Sequence, residues 1–448
     1  MARLFGTDGV RGIANTEALS PELAYLLGRA AVTVAAHKAG NKRPLAVIGR
    51  DTRRSGPMLA AALAAGICSA GGDVVDLAVV TTPAVAFITR HLGADFGVMI
   101  SASHNPAPDN GIKFFSADGY KLPDAAEDEL EALVRTKPDN MARPTGADLG
   151  AIRPDDSSIE AYVQHLVATG KSLKGLRVVI DCGHGAAYQL SPEVFRRLGA
   201  EVIALNTAPD GLNINKGCGS THPEELQKMV VVHQADAGIA HDGDADRCIA
   251  VDEKGEIVDG DQIMAICAMA AMDRGDLAKD TLVTTVMSNM GLDLVTRKKG
   301  IKTVKTRVGD RYVLEEMLKN GYTLGGEQSG HVIFGDYSTT GDGILTAVQL
   351  LSVLARGSRP LSELAGQMQR LPQHLENVRI ARKEGWEQNP AIAAAIEKAE
   401  TALGDQGRVL VRASGTEPLI RVMLEGPTLE EIKALALEIK DVIIAEQK

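Results

Sequence analysis

A chain of 448 residues is too long for one hydrophobic core and predicts roughly three or four domains. With 45% hydrophobic and 24% charged residues it reads as a folded α/β chain, and a formal charge of -10 with only 3% aromatics argues against nucleic acid or an anionic membrane as a partner. No apolar stretch approaches the about 18 residues of a membrane span, the N-terminus lacks a signal-peptide core, and the five cysteines form no CxxC pair. The expectation is a cytoplasmic protein in a reducing compartment.

Along the chain, apolar β-branched runs recur in three sets. The first predicts strands near 45–49, 73–80 and 96–100, with an amphipathic helix from Pro57 to Gly71 between the first two. The second predicts strands near 177–181, 201–205 and 237–240, and the third near 281–286, 301–305 and 322–325. Strands alternating with helices imply right-handed crossovers and mainly parallel sheets. Each third strand runs into a polar, glycine-containing or proline-fixed loop: SASHNP (101–106), HDGDADR (241–247) and GEQSGH (326–331). Another short apolar run follows each: IKFF, CIAV and VIF. Ligands in parallel α/β sheets bind at the carboxyl ends of strands, so three repeats would aim three loops at one cleft. The tail differs, with a strand at 377–381, a helix from Asn389 to Leu403, the strands RVLVR and LIRVML, and a helix from Thr428. It predicts a small α+β domain. The expected domains are 1–150, 151–255, 256–370 and 371–448.

Asp242, Asp244 and Asp246 alternate in DGDAD, which lets three carboxylates converge on a cation, and oxygen-only ligation favours magnesium or calcium over zinc. An EF-hand fails although Glu253 stands twelfth from Asp242, because Arg247 occupies the sixth position and an apolar strand follows. Ser103 lies in a turn that Asn105-Pro106 holds out of the helical region, where a phosphoserine would offer oxygens to such a cation. The rival is a hydrolase nucleophile activated by His104; neighbouring residues on an extended chain face opposite ways, and there is no GxSxG elbow. Arg412-Ala-Ser414-Gly415-Thr416 with Arg421 reads as an anion nest flanked by two guanidinium forks, or as a surface turn. FGTDGVRG (5–12) reads as backbone close to a ligand or as a turn. Lys113 and His331 read more simply as a solvated lysine and a core histidine. Glu327 and Ser329 present a carboxylate and a hydroxyl suited to paired sugar hydroxyls. No GxxxxGK[ST] occurs, and Tyr188 stands where a dinucleotide fingerprint opening at Gly183 needs its third glycine, so ATP and NAD are not expected.

Taken together and in this order, FGTDGVRG, ISASHNP, DGDADR, GEQSGH and RASGTEP closely resemble the α-D-phosphohexomutase family over the whole chain. The resemblance implies three similar mixed-sheet α/β domains around a central cleft plus a smaller C-terminal α+β domain. It implies that Ser103 is carried phosphorylated and that Asp242, Asp244 and Asp246 bind Mg2+ together with it. It further implies that Glu327 and Ser329 hold the sugar 3- and 4-hydroxyls, and that Arg412, Ser414, Gly415, Thr416 and Arg421 hold the non-reacting phosphate. Arg11, Lys113 and His331 match positions of proton transfer or transition-state support, and Arg247 is counted with them. Gln328 resembles the glucosamine-type members, which would make glucosamine phosphate the substrate, glucosamine or glucose 1,6-bisphosphate the activator, and UDP-N-acetylglucosamine and cell wall the destination. A glucose- or mannose-phosphate enzyme of the same family, a Mg-dependent sugar phosphatase and a non-catalytic sugar-phosphate sensor remain alternatives. The implied partners are a small sugar phosphate and, where subunits pair, a second copy of the chain.

Overall fold

The computed structural model describes residues 3–6, 8–39, 43–136, 141–380, 385–413 and 419–447. The chain packs as two compact units, Met1–Val286 with Ile301–Ala365, and Met287–Gly300 with Gly366–Lys448.

The first unit holds three sheets. The strands of the first are β1 (Val10–Ile13), β2 (Leu45–Arg50), β3 (Asp73–Val79), β4 (Phe96–Ile100), β5 (Asp109–Ser116) and β6 (Ile152–Pro154). The second has β7 (Arg177–Asp181), β8 (Glu201–Leu205), β9 (Ala237–Ala240), β10 (Ile249–Asp252) and β11 (Ile257–Val258), and the third β12 (Thr281–Thr285), β13 (Lys302–Thr306), β14 (Leu324–Gly326) and β15 (Val332–Phe334). Their orders are β1-β5-β4-β2-β3-β6, β11-β10-β9-β7-β8 and β13-β12-β14-β15. Each therefore contains one four-strand arrangement: β5-β4-β2-β3, β10-β9-β7-β8 and β15-β14-β12-β13. Within it the first three strands in sequence run parallel, and the fourth turns back antiparallel to the third. Among the described residues, parallel pairings are in the majority across these sheets, as expected, and the return strand makes each sheet mixed. The physical reason is the short apolar run after each polar loop: it pairs with the strand it has just left, and the loop becomes the bend of a hairpin. Strands β4 and β9 are buried at every residue, as continuous apolar runs in covered sheets must be.

Helices cover these sheets. The helix Gly56–Ser69 buries Leu59, Leu63 and Ile67 completely, a stripe at four-residue spacing, and each such side chain contributes about 1.5–3 kcal/mol through burial. It lies tightly against the helix Pro21–Ala39. A Cβ on Gly66 would stand 2.1 Å from the Tyr25 carbonyl oxygen, so glycine is what permits that approach. No helix among the described residues is long and apolar enough to cross a membrane.

The second unit is a three-stranded antiparallel sheet, β16 (Gln373–Arg379), β17 (Arg408–Ala413) and β18 (Leu419–Glu425), in the order β16-β18-β17. Val378, Ile420, Val422 and Leu424 pack with Ile392 of the helix Pro390–Leu403 and with Ile432, Ile439 and Ile443 of the helix Leu429–Glu446. Asn389 and Thr428 cap those helices, accepting from Ala391 N at 2.9 Å and from Glu431 N at 3.4 Å. Strand β16 begins four residues before the expected 377, because its first half alternates polar and apolar residues while pairing with the whole length of β18. Residue 381 lies outside the described residues. The helix Met290–Lys298, expected within the third α/β domain, packs in this second unit. The fully buried Glu425 carboxylate accepts from Met290 N at 2.9 Å and from Arg408 Nε at 2.6 Å.

Candidate active site

Strand β4 delivers the chain into the first polar loop, and Ser103 sits there 2% exposed with φ at 53°, in the left-handed region that disfavours a Cβ. Three buried neighbours hold it. The Ser103 N–H donates to Ser101 Oγ at 2.9 Å, and Ser101 Oγ donates to Asp51 at 2.6 Å. Asp51 also pairs with Arg53 at 2.9 Å, both side chains being wholly buried. Burial raises the pKa of Asp51, against the pull of Arg53 and Ser101. Arg53 Nη2 donates to the carbonyls of Ser103 and Asn105 at 2.9 and 2.8 Å. From beyond β8, Asn215 Nδ2 reaches the same two carbonyls at 2.9 and 3.1 Å.

The second loop follows β9. His241 is fully buried, with Nε2 2.9 Å from Ser191 Oγ and Nδ1 3.1 Å from the Arg247 carbonyl, so it ties both ends of the loop together. Inside it, Asp242 Oδ2 accepts from Ser103 Oγ at 2.6 Å, and Asp244 Oδ2 accepts from Thr82 Oγ1 at 2.5 Å and from Lys113 Nζ at 2.9 Å. Asp246 Oδ2 lies 3.5 Å from His331 Nδ1. One carboxylate oxygen from each aspartate lies within 4.8 Å of the other two. The Oδ1 atoms of all three are buried without a hydrogen-bond partner. Burial and then the neighbouring Asp246 and Asp244 push the Asp242 pKa well above the usual carboxylate range. Three orphaned, mutually repelling, oxygen-only donors fit a hard divalent cation.

Around this group the first and third sheets add charge. Lys113 on β5 is 2% exposed; burial opposes its charge, but Asp244, Asp8 and Asp246 outweigh burial and raise its pKa. Asp8 accepts from Lys121 at 2.6 Å, lies 3.1 Å from Lys113 and pairs with Arg11. Lys121 also pairs with Asp310, whose Oδ2 is 3.5 Å from His331 Nε2. Burial opposes a proton on His331, yet Asp246 and Asp310 prevail and raise its pKa. The Gly341 N–H lies 3.2 Å from that same Nε2, so a partner is at hand for the ring with or without its second proton. Arg247 Nε stands 3.9 Å from Asp246.

The third loop is the bend between β14 and β15. Glu327 Oε1 accepts from Gly309 N at 2.9 Å, and Ser329 is exposed. Gln328, between them, sends its amide to Asp259 at 3.4 Å, the residue that caps the helix Gly260–Arg274.

The first unit therefore gathers Ser103, the three aspartates, Lys113, Arg247, His331 and Arg11 into one charged cluster. In the second unit Arg412 and Arg421 stand directly opposite each other on β17 and β18. Burial and then Arg421 depress the Arg412 pKa, a repulsion that an anion would relieve. Ser414, Gly415 and Thr416 lie outside the described residues. Asp51, Arg53, Thr82, Asn215, Lys121 and Asp310 escaped sequence reasoning. A signal existed for the first two, since Asp51-Thr52-Arg53 directly follows β2 at its carboxyl end. Nothing in the local sequence marks the others.

Models of the phosphoglucomutase/phosphomannomutase α/β/α domains I, II and III match residues 2–141, 160–255 and 259–371, and the model of the C-terminal domain matches 375–442. The chain is 74% identical over 446 residues to the phosphoglucosamine mutase of Symbiobacterium thermophilum, covering 100% of both. It is 56% identical to that of Pelotomaculum thermopropionicum, covering 99% of both. Among solved structures, a phosphoglucomutase/phosphomannomutase family protein of Burkholderia thailandensis matches with a TM-score of 0.81 at 26% identity, over 99% of this chain and 98% of that one. The N-acetylphosphoglucosamine mutase of Aspergillus fumigatus shares the fold with a TM-score of 0.68 at 17% identity, over 99% and 96%. Four domain matches in order and full-length identity of this degree place the chain in the α-D-phosphohexomutase family, as an enzyme of that family.

Proposed function

We propose that the chain interconverts glucosamine 6-phosphate and glucosamine 1-phosphate by way of a phosphoryl group carried on Ser103 and a 1,6-bisphosphate intermediate. The observation that carries this reading is the Ser103 hydroxyl 2.6 Å from Asp242, at the edge of three buried aspartates with unpaired oxygens. The amino sugar is supported by the relatives of 74% and 56% identity, both phosphoglucosamine mutases.

In the forward direction the phosphoryl group passes from Ser103 Oγ to O1 of glucosamine 6-phosphate, and the O1 proton goes to a base. The bisphosphate turns over in the site. Ser103 Oγ then takes the phosphoryl group from O6, which regains a proton, and glucosamine 1-phosphate leaves as a precursor of UDP-N-acetylglucosamine. Phosphoryl transfer asks mainly for positioning and charge neutralisation. Asp242, Asp244 and Asp246 would hold Mg2+, which would supply part of that charge neutralisation. Lys113, Arg11 and Arg247 add fixed positive charge, and Lys113 and His331 are the groups suited to hold the travelling proton. Glu327 and Ser329 orient the sugar through its 3- and 4-hydroxyls. Arg412, Ser414, Gly415, Thr416 and Arg421 hold the phosphate that is not reacting, and glucosamine or glucose 1,6-bisphosphate reloads an unphosphorylated serine.

The test is Ser103→Ala assayed with added hexose 1,6-bisphosphate, beside intact-mass and peptide mapping of the parent protein. We expect one phosphoryl group on Ser103 and no turnover by the variant; turnover by the variant overturns the mechanism. Relative kcat/KM on glucosamine, glucose and mannose phosphates tests the sugar, and equal values would remove glucosamine while leaving the mutase.

A further inference from the structure

The six groups Asp246, Lys113, Asp8, Lys121, Asp310 and His331 form a closed circuit in which carboxylates and cations alternate. The separations are 4.0 Å from Asp246 to Lys113, 3.1 Å from Lys113 to Asp8, 2.6 Å from Asp8 to Lys121, and 3.5 Å on each side of His331, with Lys121 and Asp310 in direct contact. It draws on all three sheets of the first unit. Lys121 follows β5 at a tight turn, Asp246 lies in the loop after β9, and His331 closes the bend before β15. Asp310 opens the helix Asp310–Asn320. The side chains of Lys121 and Asp310 are only 15% and 20% exposed. An ion pair that leaves water this far has to repay its desolvation through geometry, and alternation gives each member an opposite charge on both sides.

His331 sits in this circuit between two carboxylates, one belonging to the aspartate triad and one, Asp310, whose charge is paired with Lys121 while its Oδ1 accepts from Arg311 N at 2.8 Å. Without Lys121, Asp310 loses the ion pair that fixes its Oδ2 3.5 Å from Nε2, and the Gly341 N–H is left as the partner holding that side of the ring. We infer that Lys121 and Asp310 are positioning residues for the proposed reaction: they act through His331, by holding its ring with Nδ1 toward Asp246. The inference rests on the proposed role of His331, and neither residue is asked to touch the sugar.

The test is a double-mutant cycle on the full-length enzyme, read as kcat below the thermal midpoint of every variant. A misplacement of this kind costs about 100-fold in kcat with KM changed less than about 3-fold, and Lys121→Arg recovers to within about 10-fold of the parent. The deciding value is the double variant Lys121→Met/His331→Ala, expected within about 3-fold of His331→Ala alone because both changes remove one function. Should Lys121→Met fail to fold, Asp310→Asn, which keeps the side chain's size, takes its place in the same cycle. Losses that multiply, a single variant within about 3-fold of the parent, or a His331→Ala enzyme with full kcat each overturn the inference. The reading beneath it fails separately, through an active Ser103→Ala.

Discussion

Ser103 keeps a positive φ without being glycine, a strain on the order of 1–3 kcal/mol that surrounding contacts must offset. Arg53 and Asn215 donate to carbonyls of the loop, and Ser101, which donates to Asp51, accepts from the Ser103 N–H, so the Ser103 hydroxyl is left to Asp242, with His104 Nδ1 3.4 Å away. A serine in a turn is visible in sequence; a buried arginine 50 residues away that fixes the turn is not. The same limit applied to Lys113 and His331, which looked like a solvated lysine and a core histidine until the fold put carboxylates beside them. His241 shows the opposite case. Burial pushes its pKa down to about 4, against the pull of the Arg247 carbonyl, so the folded protein holds it neutral. A depressed histidine contributes stability that is present above its unfolded pKa of about 6.5 and is lost as pH falls toward about 4. The loss at the acid end is at most about 3 kcal/mol. His241→Gln is therefore expected to flatten the stability curve between those pH values in urea titrations, and an unchanged slope would assign the acid sensitivity elsewhere.

At the scale of elements, the repeat was legible because covered parallel strands are continuous apolar runs that sequence periodicity detects. The antiparallel return strand was also visible as IKFF, CIAV and VIF, but its partner was not, since pairing direction is set by the bend. Polar alternation hid the first half of β16, where neither face gives a continuous run. The placement of the helix Met290–Lys298 was invisible for a related reason. Its anchor is Glu425, at the end of a strand more than a hundred residues later, whose carboxylate also receives Gln373 Nε2 at 2.9 Å. Breaking a buried ion pair from one side costs about 3–5 kcal/mol, so Glu425→Leu, which strands Arg408 and the helix N-terminus, should lower the unfolding free energy of the second unit by that order. Limited proteolysis should then cut within 287–300 first, while circular dichroism of the parent and variant remains alike below the midpoint.

For the whole molecule, the family was readable from five motifs, because each loop's chemistry is carried by short local sequence. How the aspartates stand toward Ser103, Lys113 and His331 was not, because that depends on three sheets meeting. Within the triad, Asp242 is the member that opposes folding without a cation, since burial and its neighbours raise its pKa, whereas for Asp246 burial is outweighed by His331 and Lys113, which lower its pKa. With chelator present, the Asp242 contribution to stability declines as pH rises above the ordinary carboxylate range. A divalent cation at a hundredfold excess over its Kd should restore about 2.7 kcal/mol. Calorimetry is expected to show the transition of the first unit moving up by a few degrees with Mg2+ and that of the second unit staying in place. A cation-independent first transition would argue against the aspartates as the binding group.

The chain passes between its two units at 286/287, 300/301 and 365/366, three times where a simple C-terminal appendage would need one. That threading makes genetic dissection unequal. Ending the gene at residue 365 would leave the helix Met290–Lys298 in the fragment with its Glu425 anchor and the buried surroundings of Leu292 removed. A transplant of the second unit into another scaffold must carry both 287–300 and 366–448, inserted at two places. Exchange between relatives by a single crossover near residue 370 would join a helix from one parent to a sheet from the other, so recombinants viable at that point should be those whose position-425 carboxylate and residue-290 helix start are compatible.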